Sequence, residues 1–549
     1  MGIDYGMTGI VLDEDVDLKN YSVWICDIVH GYPAWTPLYI SMFCEVTPYG
    51  MQYACEALSC PESKGWEWKL HDGYVYITAI EARAEEIPAR EKLFRQRLAS
   101  FLEDLEGRWA KDRDRIWGLY KHIQEVDIGK VSPCELRGLV WEAWDVFRKS
   151  HEIHFYWKYG LYILDNQFVT ACEEIAGIKP DDPIHARLRS GFDNTLFQTG
   201  KEMWALGSRA RELGLGNLFL TTADDEMLLA ELSKSAEGRK WLDEYSGFLK
   251  IRGWRCQRMV DWATPSWIEK PSLGLADIKR YMSKEQYVPE VEREGLAKER
   301  QSAEEELFSK VPAGDQQWFK KLLRAAQMSA SWTEDHTPFC ELGQNAVTRK
   351  VIWEVGNRFA RAGVIDEPFD VFMLMPWEIR KAIGPLERVD YRKLARWRRS
   401  EWEKALKKEP QPFLGNIEKL GELAAKDPII RVVGAPPNVR PELKADLYGA
   451  GGAPGMAEGS ARVIMSEAQF DEIQQGEILV APFTSSPWIA VFHLVKGVVT
   501  DMGGSMAHAV IMGREFGLPV VAGTLEGTKK IKTGQRIRID GANMAVYIL

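Results

Sequence analysis

Hydrophobic and polar residues change their spacing three times along the 549-residue chain. Over residues 1–80, short apolar runs such as YSVWICDIV and GYVYITAI are broken by turn residues, Gly31 and Pro33 among them. That pattern predicts short strands and loops. From Glu81 onward apolar residues fall three and four apart, as in EARAEEIPAREKLFRQRLASFLEDLEGRWAKDRDRIWGLYKHIQEV and SPCELRGLVWEAWDVFRKSHEIHFYWKYGLYIL. This is the spacing of amphipathic helices, and it predicts a helical domain over 81–430. Within it, residues 290–321 are rich in Glu, Lys, Arg and Ala, the composition of a solvent-facing helix laced with charge pairs. Pro, Gly and Asn collect in LKKEPQPFLGN (406–416) and GAPPNVRPE (434–442), so a linker is expected over 431–448.

After Tyr448 the texture changes again. GAGGAPGMAEGSARVIM leads into SEAQFDEIQQ, where Ser466 and Gln469 match a capping box and Gly476 a stop, so a helix is expected there. A short buried strand at 478–480, a strand in KGVVT, a helix in SMAHAVIMGREF, a strand in PVVAGT and a terminal pair in QRIRID and MAVYIL complete a β/β/α domain over 449–549. The chain exceeds the roughly 250–300 residues that one core supports, so the fold class is multidomain α+β, largely helical before this last domain.

A net charge of -10 and a pI near 5.6 argue against a nucleic-acid surface and against a polybasic membrane anchor. No run of about 18 apolar residues occurs, and MGIDYGMTGIVLDEDVD has no basic stretch before an apolar one, so neither membrane insertion nor secretion is expected. The eight cysteines (Cys26, Cys44, Cys55, Cys60, Cys134, Cys172, Cys256, Cys340) show no Cys-x-x-Cys pair, which suits reduced thiols in a cytoplasmic protein and no metal site. Trp is abundant, with 21 residues. It serves either large helical cores or an aromatic-lined cavity.

One segment carries chemistry: GVVTDMGGSMAHAVIMGREFGLP, residues 497–519. A buried strand runs into Gly503-Gly504, where backbone can approach a ligand closely, and Ser505 is placed to cap a helix in which His508 is the third residue. The positive end of that helix favours an anion such as a phosphoryl group on the imidazole. The segment resembles the signature of the phosphohistidine-domain family of phosphoenolpyruvate synthase, pyruvate phosphate dikinase and rifampin phosphotransferase. Thr500, Gly503, Gly504, His508, Ala509, Arg514, Glu515, Gly517 and Pro519 match it, as does TSSPW at 484–488. The resemblance implies a swivelling domain in which His508 carries the phosphoryl group and Thr500, Gly503, Gly504, Ser505 and Arg514 contact it. The residue before the histidine is usually Ser or Thr and here is Ala507, so a hydroxyl contact must come from elsewhere.

Members of that family carry an ATP-grasp domain, whereas this sequence has no P-loop and no further Gly-rich phosphate cradle. The resemblance therefore implies a separate ATP-grasp partner subunit, with Mg²⁺ entering alongside ATP on that partner and no cofactor held tightly by this chain. The stretches TGKEMWALGSRARELG, FLKIRGWR, PSWIEKP and EDHTPFCELGQNAVTRKVIWEVGNRFARAGVIDEPFDVFML resemble the acceptor-binding region of rifampin phosphotransferase and phenylphosphate synthase, and WICDIVHGYPAWTPLY fits the latter best. Trp254 replaces a histidine usual in that region. By this resemblance the acceptor is a phenol or cresol and the chemistry dikinase-like, ATP yielding AMP and phosphate.

A phenol has a pKa of about 10, so a base tuned near neutrality would assist its attack. Base candidates are Asp27 with His30, His151 with His154, and Glu334 with His336; Arg255 and Arg349 are candidates to meet the phosphoryl group. His151 and His154 could equally pack against Trp144 and Trp157. Two alternatives remain open: a split antibiotic phosphotransferase with a larger acceptor, and a regulatory phosphohistidine protein without turnover.

Overall fold

The computed structural model describes residues 23–180, 182–256, 261–282, 289–383, 389–433 and 436–549. They fall into two compact units. The first comprises Met1–Tyr162, Val260–Thr264 and Phe339–Gly434; the second comprises Ile163–Met259, Pro265–Pro338 and Ala435–Leu549. Residues 81–430, read from sequence as one helical domain, are shared between the two units. Periodicity reports which residues are helical, not which core they enter.

The first unit holds an antiparallel sheet in the order Ser63–His71, Tyr74–Glu81, Trp24–Cys26, Phe413–Leu414. Its hairpin turns at Asp72 and Gly73, both at positive φ (51° and 82°), as a two-residue turn with the twist of the strands requires. Beside it runs the 22-residue helix Pro37–Leu58, where strands and loops were expected. Sixteen of its residues are buried, which leaves only a narrow, partly exposed stripe, Glu45, Tyr49, Gln52, Tyr53 and Glu56, two of them aromatic, and Pro48 inside it reads as a breaker. Its start is fixed by Thr36, whose backbone N–H and hydroxyl both donate at 2.8 Å to the fully buried carboxylate of Asp261. A second buried carboxylate, Asp427, accepts from the Ser63 and Tyr159 hydroxyls at 2.6 and 2.9 Å, and from the N–H groups of Ile429 and Ile430.

In the second unit, helices Thr195–Glu212, Ala236–Arg252 and Leu275–Met282 enclose a core around Trp241, Tyr245 and Phe219. The C-terminal part is an eight-stranded sheet in the order Leu447–Tyr448, Ala545–Ile548, Arg536–Asp540, Met456–Val463, Ile478–Ala481, Gly497–Thr500, Val520–Ala522, Gly451–Ala453. Alternation along Ile478–Ala481 sends Leu479 and Ala481 into one core with helix His508–Glu515, and Ile478 and Val480 into another with Ile537 and Val546. This is the expected α+β arrangement of helices followed by a sheet domain.

Details differ from the sequence reading. SEAQFDEIQQ forms only a 3-10 turn, Glu467–Glu472, and Ser466 makes no side-chain cap. The Gln469 carboxamide instead accepts from Met465 N–H at 2.9 Å, and Glu467 accepts from the Trp488 indole. The glycine-rich start of the domain, to which the sequence reading assigns no element, contributes the strands Gly451–Ala453 and Met456–Val463. A Cβ on Gly452 would lie 2.1 Å from the Gly541 carbonyl oxygen, so only glycine lets the chains pack this closely. Strand Leu447–Tyr448 falls inside the expected 431–448 linker. Seven of the eight cysteines are buried; Cys134 is exposed. Among the described residues no helix is long and apolar enough to cross a membrane.

Candidate functional site

Strand Gly497–Thr500 delivers the chain into the loop that precedes His508. Ala507 N–H donates to the Gly504 carbonyl at 3.1 Å, closing a tight turn through Ser505 and Met506. The helix therefore begins two residues later than expected: His508 is its first residue, Ala507 its N-cap, and Ser505 is exposed on the turn. Gly503 sits at φ +124°, open to glycine alone. Gly503 and Gly504 do make a close backbone approach, to other backbone: a Cβ on Gly451 would lie 2.3 Å from the Gly504 carbonyl carbon, and one on Gly523 would lie 2.2 Å from the Gly503 oxygen.

The His508 side chain is 11% exposed. Its Nδ1 lies 2.9 Å from the Thr484 hydroxyl, its Nε2 lies 3.9 Å from Glu334 Oε2, and its ring meets Phe492 edge-on at 5.8 Å. Burial pushes its pKa down to about 3, so the ring is neutral near pH 7. In the tautomer that donates Nδ1–H to Thr484, Nε2 keeps its lone pair; that atom is buried, makes no hydrogen bond and faces Glu334. A hydroxyl beside the imidazole thus comes, at Nδ1, not from the residue before the histidine but from Thr484. The sequence held its signal in TSSPW, without assigning the residue a role.

The remaining candidates separate. Thr500 is fully buried and its hydroxyl donates to the Met502 carbonyl at 2.8 Å, bracing the loop. Arg514 stands in the last turn of the helix and lines a different cavity together with Ser505. Glu515 accepts from Gly191 N–H at 3.1 Å, and burial, only partly opposed by Arg514, raises its pKa to about 7. His336 points its Nδ1 at the Trp332 carbonyl, 2.9 Å away, and stacks on the Trp332 ring. Arg255 lies over Trp267 at 5.0 Å, and burial, opposed by Asp277, lowers its pKa to about 10; Trp254 is its half-buried neighbour. All of these belong to the second unit.

Asp27, His30, His151 and His154 belong to the first unit and line one cavity there, with Glu341 and Lys158. The space open to the centre of a water molecule is about 80 Å³, and its other walls include Tyr39, Phe43, Trp66 and Phe155. His30 Nδ1 is 2.8 Å from Asp27 Oδ1. Burial disfavours the charged ring, but the Asp27 carboxylate, with Glu341 beyond it, outweighs burial and holds the His30 pKa above its ordinary value. His151 is held neutral by burial, at about 4, with Nδ1 at 2.9 Å from the Phe147 carbonyl. His154 Nε2 is 3.9 Å from Glu341. Arg349, also in this unit, is outside the cavity wall; it donates to the Trp262 carbonyl and lies over Trp353 and Phe372.

Residues 473–544 match the mobile domain of PEP-utilising enzymes, and residues 163–334, ending at the carboxylate beside His508, match the fourth domain of rifampicin phosphotransferase. These matches support a likeness to the PEP-utilising, phosphohistidine-domain family. Over 106 residues it is 39% identical to phosphoenolpyruvate synthase of Pyrococcus furiosus, covering 19% of this chain and 13% of that protein. It is 28% identical to rifampicin phosphotransferase of Bacillus subtilis over 60% of this chain and 37% of that one. It is also 26% identical to chondramide synthase of Chondromyces crocatus over 96% of this chain and 14% of that protein. The chain spans less than half the length of these relatives. The finer resemblance to phenylphosphate synthase rests on the sequence motifs alone.

Proposed function

We propose that this chain is a phosphotransferase that carries a phosphoryl group on His508 Nε2 and delivers it to the hydroxyl of a small phenol-type acceptor. The observation that carries the reading is the state of His508: a neutral ring, with Nδ1 on the Thr484 hydroxyl and Nε2 turned to a buried carboxylate. In the first step the Nε2 lone pair attacks phosphorus and the bond to the nucleotide oxygen breaks; in the second the acceptor oxygen attacks, the N–P bond breaks, and the phenolic proton passes to a base. In this reading the nucleotide, with its Mg²⁺, sits on an ATP-grasp module, and charging is dikinase-like: attack at the β-phosphorus displaces AMP, and water cleaves the β–γ bond to release phosphate, leaving one phosphoryl group on the ring.

The cavity of the first unit supports the acceptor class. Its apolar walls and its volume of about 80 Å³ suit one ring rather than the roughly 300–1,000 Å³ typical of larger ligands. Its Asp27–His30 pair is the base that best fits a phenol, because the carboxylate makes the imidazole more basic. A rifamycin-like acceptor is the second reading, favoured by the domain match over 163–334.

The test is label transfer from ATP tagged at the β-phosphoryl group, with the ATP-grasp partner present and His508→Ala as control. Acid-labile, alkali-stable label on the wild type alone, discharged by phenol or a cresol, is expected. Discharge by rifampicin only would favour the second reading, and stable label that neither acceptor removes would favour a regulatory carrier. Equal labelling of His508→Ala would remove the carrier assignment altogether.

A further inference from the structure

A second cavity, of about 350 Å³, lies in the second unit and is lined by Arg514, Arg189, His185, Ser505, Gly451 and Gly452 among others. Arg514 is only 9% exposed. Its Nε is buried without a hydrogen bond, and its Nη2 has the Met506 thioether, a weak acceptor 4.0 Å away. A guanidinium buried in this way is costly unless an anion pairs with it.

The nearby carboxylates make their direct contacts elsewhere and reach Arg514 only through longer-range attraction. Asp165 takes Arg189 Nε and Nη2 at 2.8 and 2.7 Å, Glu515 accepts from Gly191 N–H, and Asp182 accepts from Ile184 N–H at 2.9 Å. His185 is neutral, its pKa lowered to about 4 by burial and by Arg189, with Nε2 on the Lys179 carbonyl. The cavity thus holds one buried guanidinium that no carboxylate contacts directly, Glu515 and Asp165 acting on it only from beyond hydrogen-bond distance, beside the exposed Ser505 and the main chain of Gly451 and Gly452.

Arg514 follows His508 by six helical residues, about 9 Å along the axis and some two-thirds of a turn round it. The two side chains therefore serve different faces. We propose that this cavity binds a small phosphate-bearing anion, with Arg514 as its counter-charge, at a site separate from the phosphohistidine. Free phosphate and a nucleoside monophosphate share the chemistry that a guanidinium fork recognises.

Equilibrium dialysis of the full chain with labelled inorganic phosphate, and in parallel with AMP, tests the inference. Saturable binding is expected, weakened by about tenfold or more in Arg514→Gln and unchanged in His508→Gln. Ala542→Glu, which adds a carboxylate from an exposed cavity-lining position, is expected to weaken it as well and serves if Arg514→Gln does not fold. Tighter AMP than phosphate would identify the nucleotide as the source; the reverse would identify free phosphate. Absence of binding of both probes to the wild type, wild-type affinity in both cavity variants, or loss of binding in His508→Gln would overturn the proposal.

Discussion

His508 and His30 are both enclosed imidazoles beside an oxygen, yet their surroundings drive them in opposite directions. His508 meets a neutral hydroxyl at Nδ1 and has its carboxylate only at 3.9 Å from Nε2, so burial prevails and its pKa falls to about 3. His30 meets a carboxylate at 2.8 Å, and its pKa rises. One ring is suited to attack phosphorus with a free lone pair, the other to accept a proton. The lesson is that the partner of Nδ1, more than depth of burial, sets what a histidine can do.

The largest effect expected on this contrast is from His508→Ala, which should abolish acid-labile labelling completely. Next, Asp27→Asn should leave labelling of His508 intact while slowing discharge to a phenol by about 10²–10⁴-fold. The same change sharpens the comparison through pH. Discharge should rise with pH through an inflection above 6.5 in the wild type, since a base acts only when deprotonated, and Asp27→Asn should move that inflection downward. Thr484→Val removes one hydrogen bond and the tautomer it fixes, about 1–1.5 kcal/mol, so the single-turnover labelling rate should fall about tenfold.

The last expected effect is on stability rather than on rate. The Glu515 pKa is raised from 4.5 to about 7, principally by burial, so the folded chain retains a proton that the unfolded chain releases. Below pH 4.5 both states hold it and nothing is lost; as pH rises from 4.5 to 7, stability declines. Glu515→Gln should therefore unfold at the same denaturant concentration as wild type near pH 4, and be more stable by about 2 kcal/mol near pH 8.

Much of the C-terminal domain was legible because its strands alternate and its punctuation is local: KGVVT, PVVAGT and the terminal hairpin all appear where the apolar runs lie. His508 was legible as a motif. Its working environment was not, because Thr484 and Glu334 are 24 and 174 residues away in the sequence, and nothing in composition pairs them. Helix Pro37–Leu58 was hidden by its own burial. The helix start at His508 was missed because Ser505 is a good cap by residue type, whereas the turn closed by Ala507 and Gly504 uses that serine before the helix begins. Among the base candidates, residue type alone could not separate His30, paired with Asp27, from His336, occupied by the Trp332 carbonyl.

The fit of Gly451 and Gly523 against the loop before His508 leaves less than one methyl group of slack. A carrier histidine on a compliant tether would have to find its orientation afresh at each encounter. Here that loss of freedom is settled once, when the chain folds, and a phosphoryl group carried as proposed would ride on a stiff bracket whose aim is inherited by every turnover.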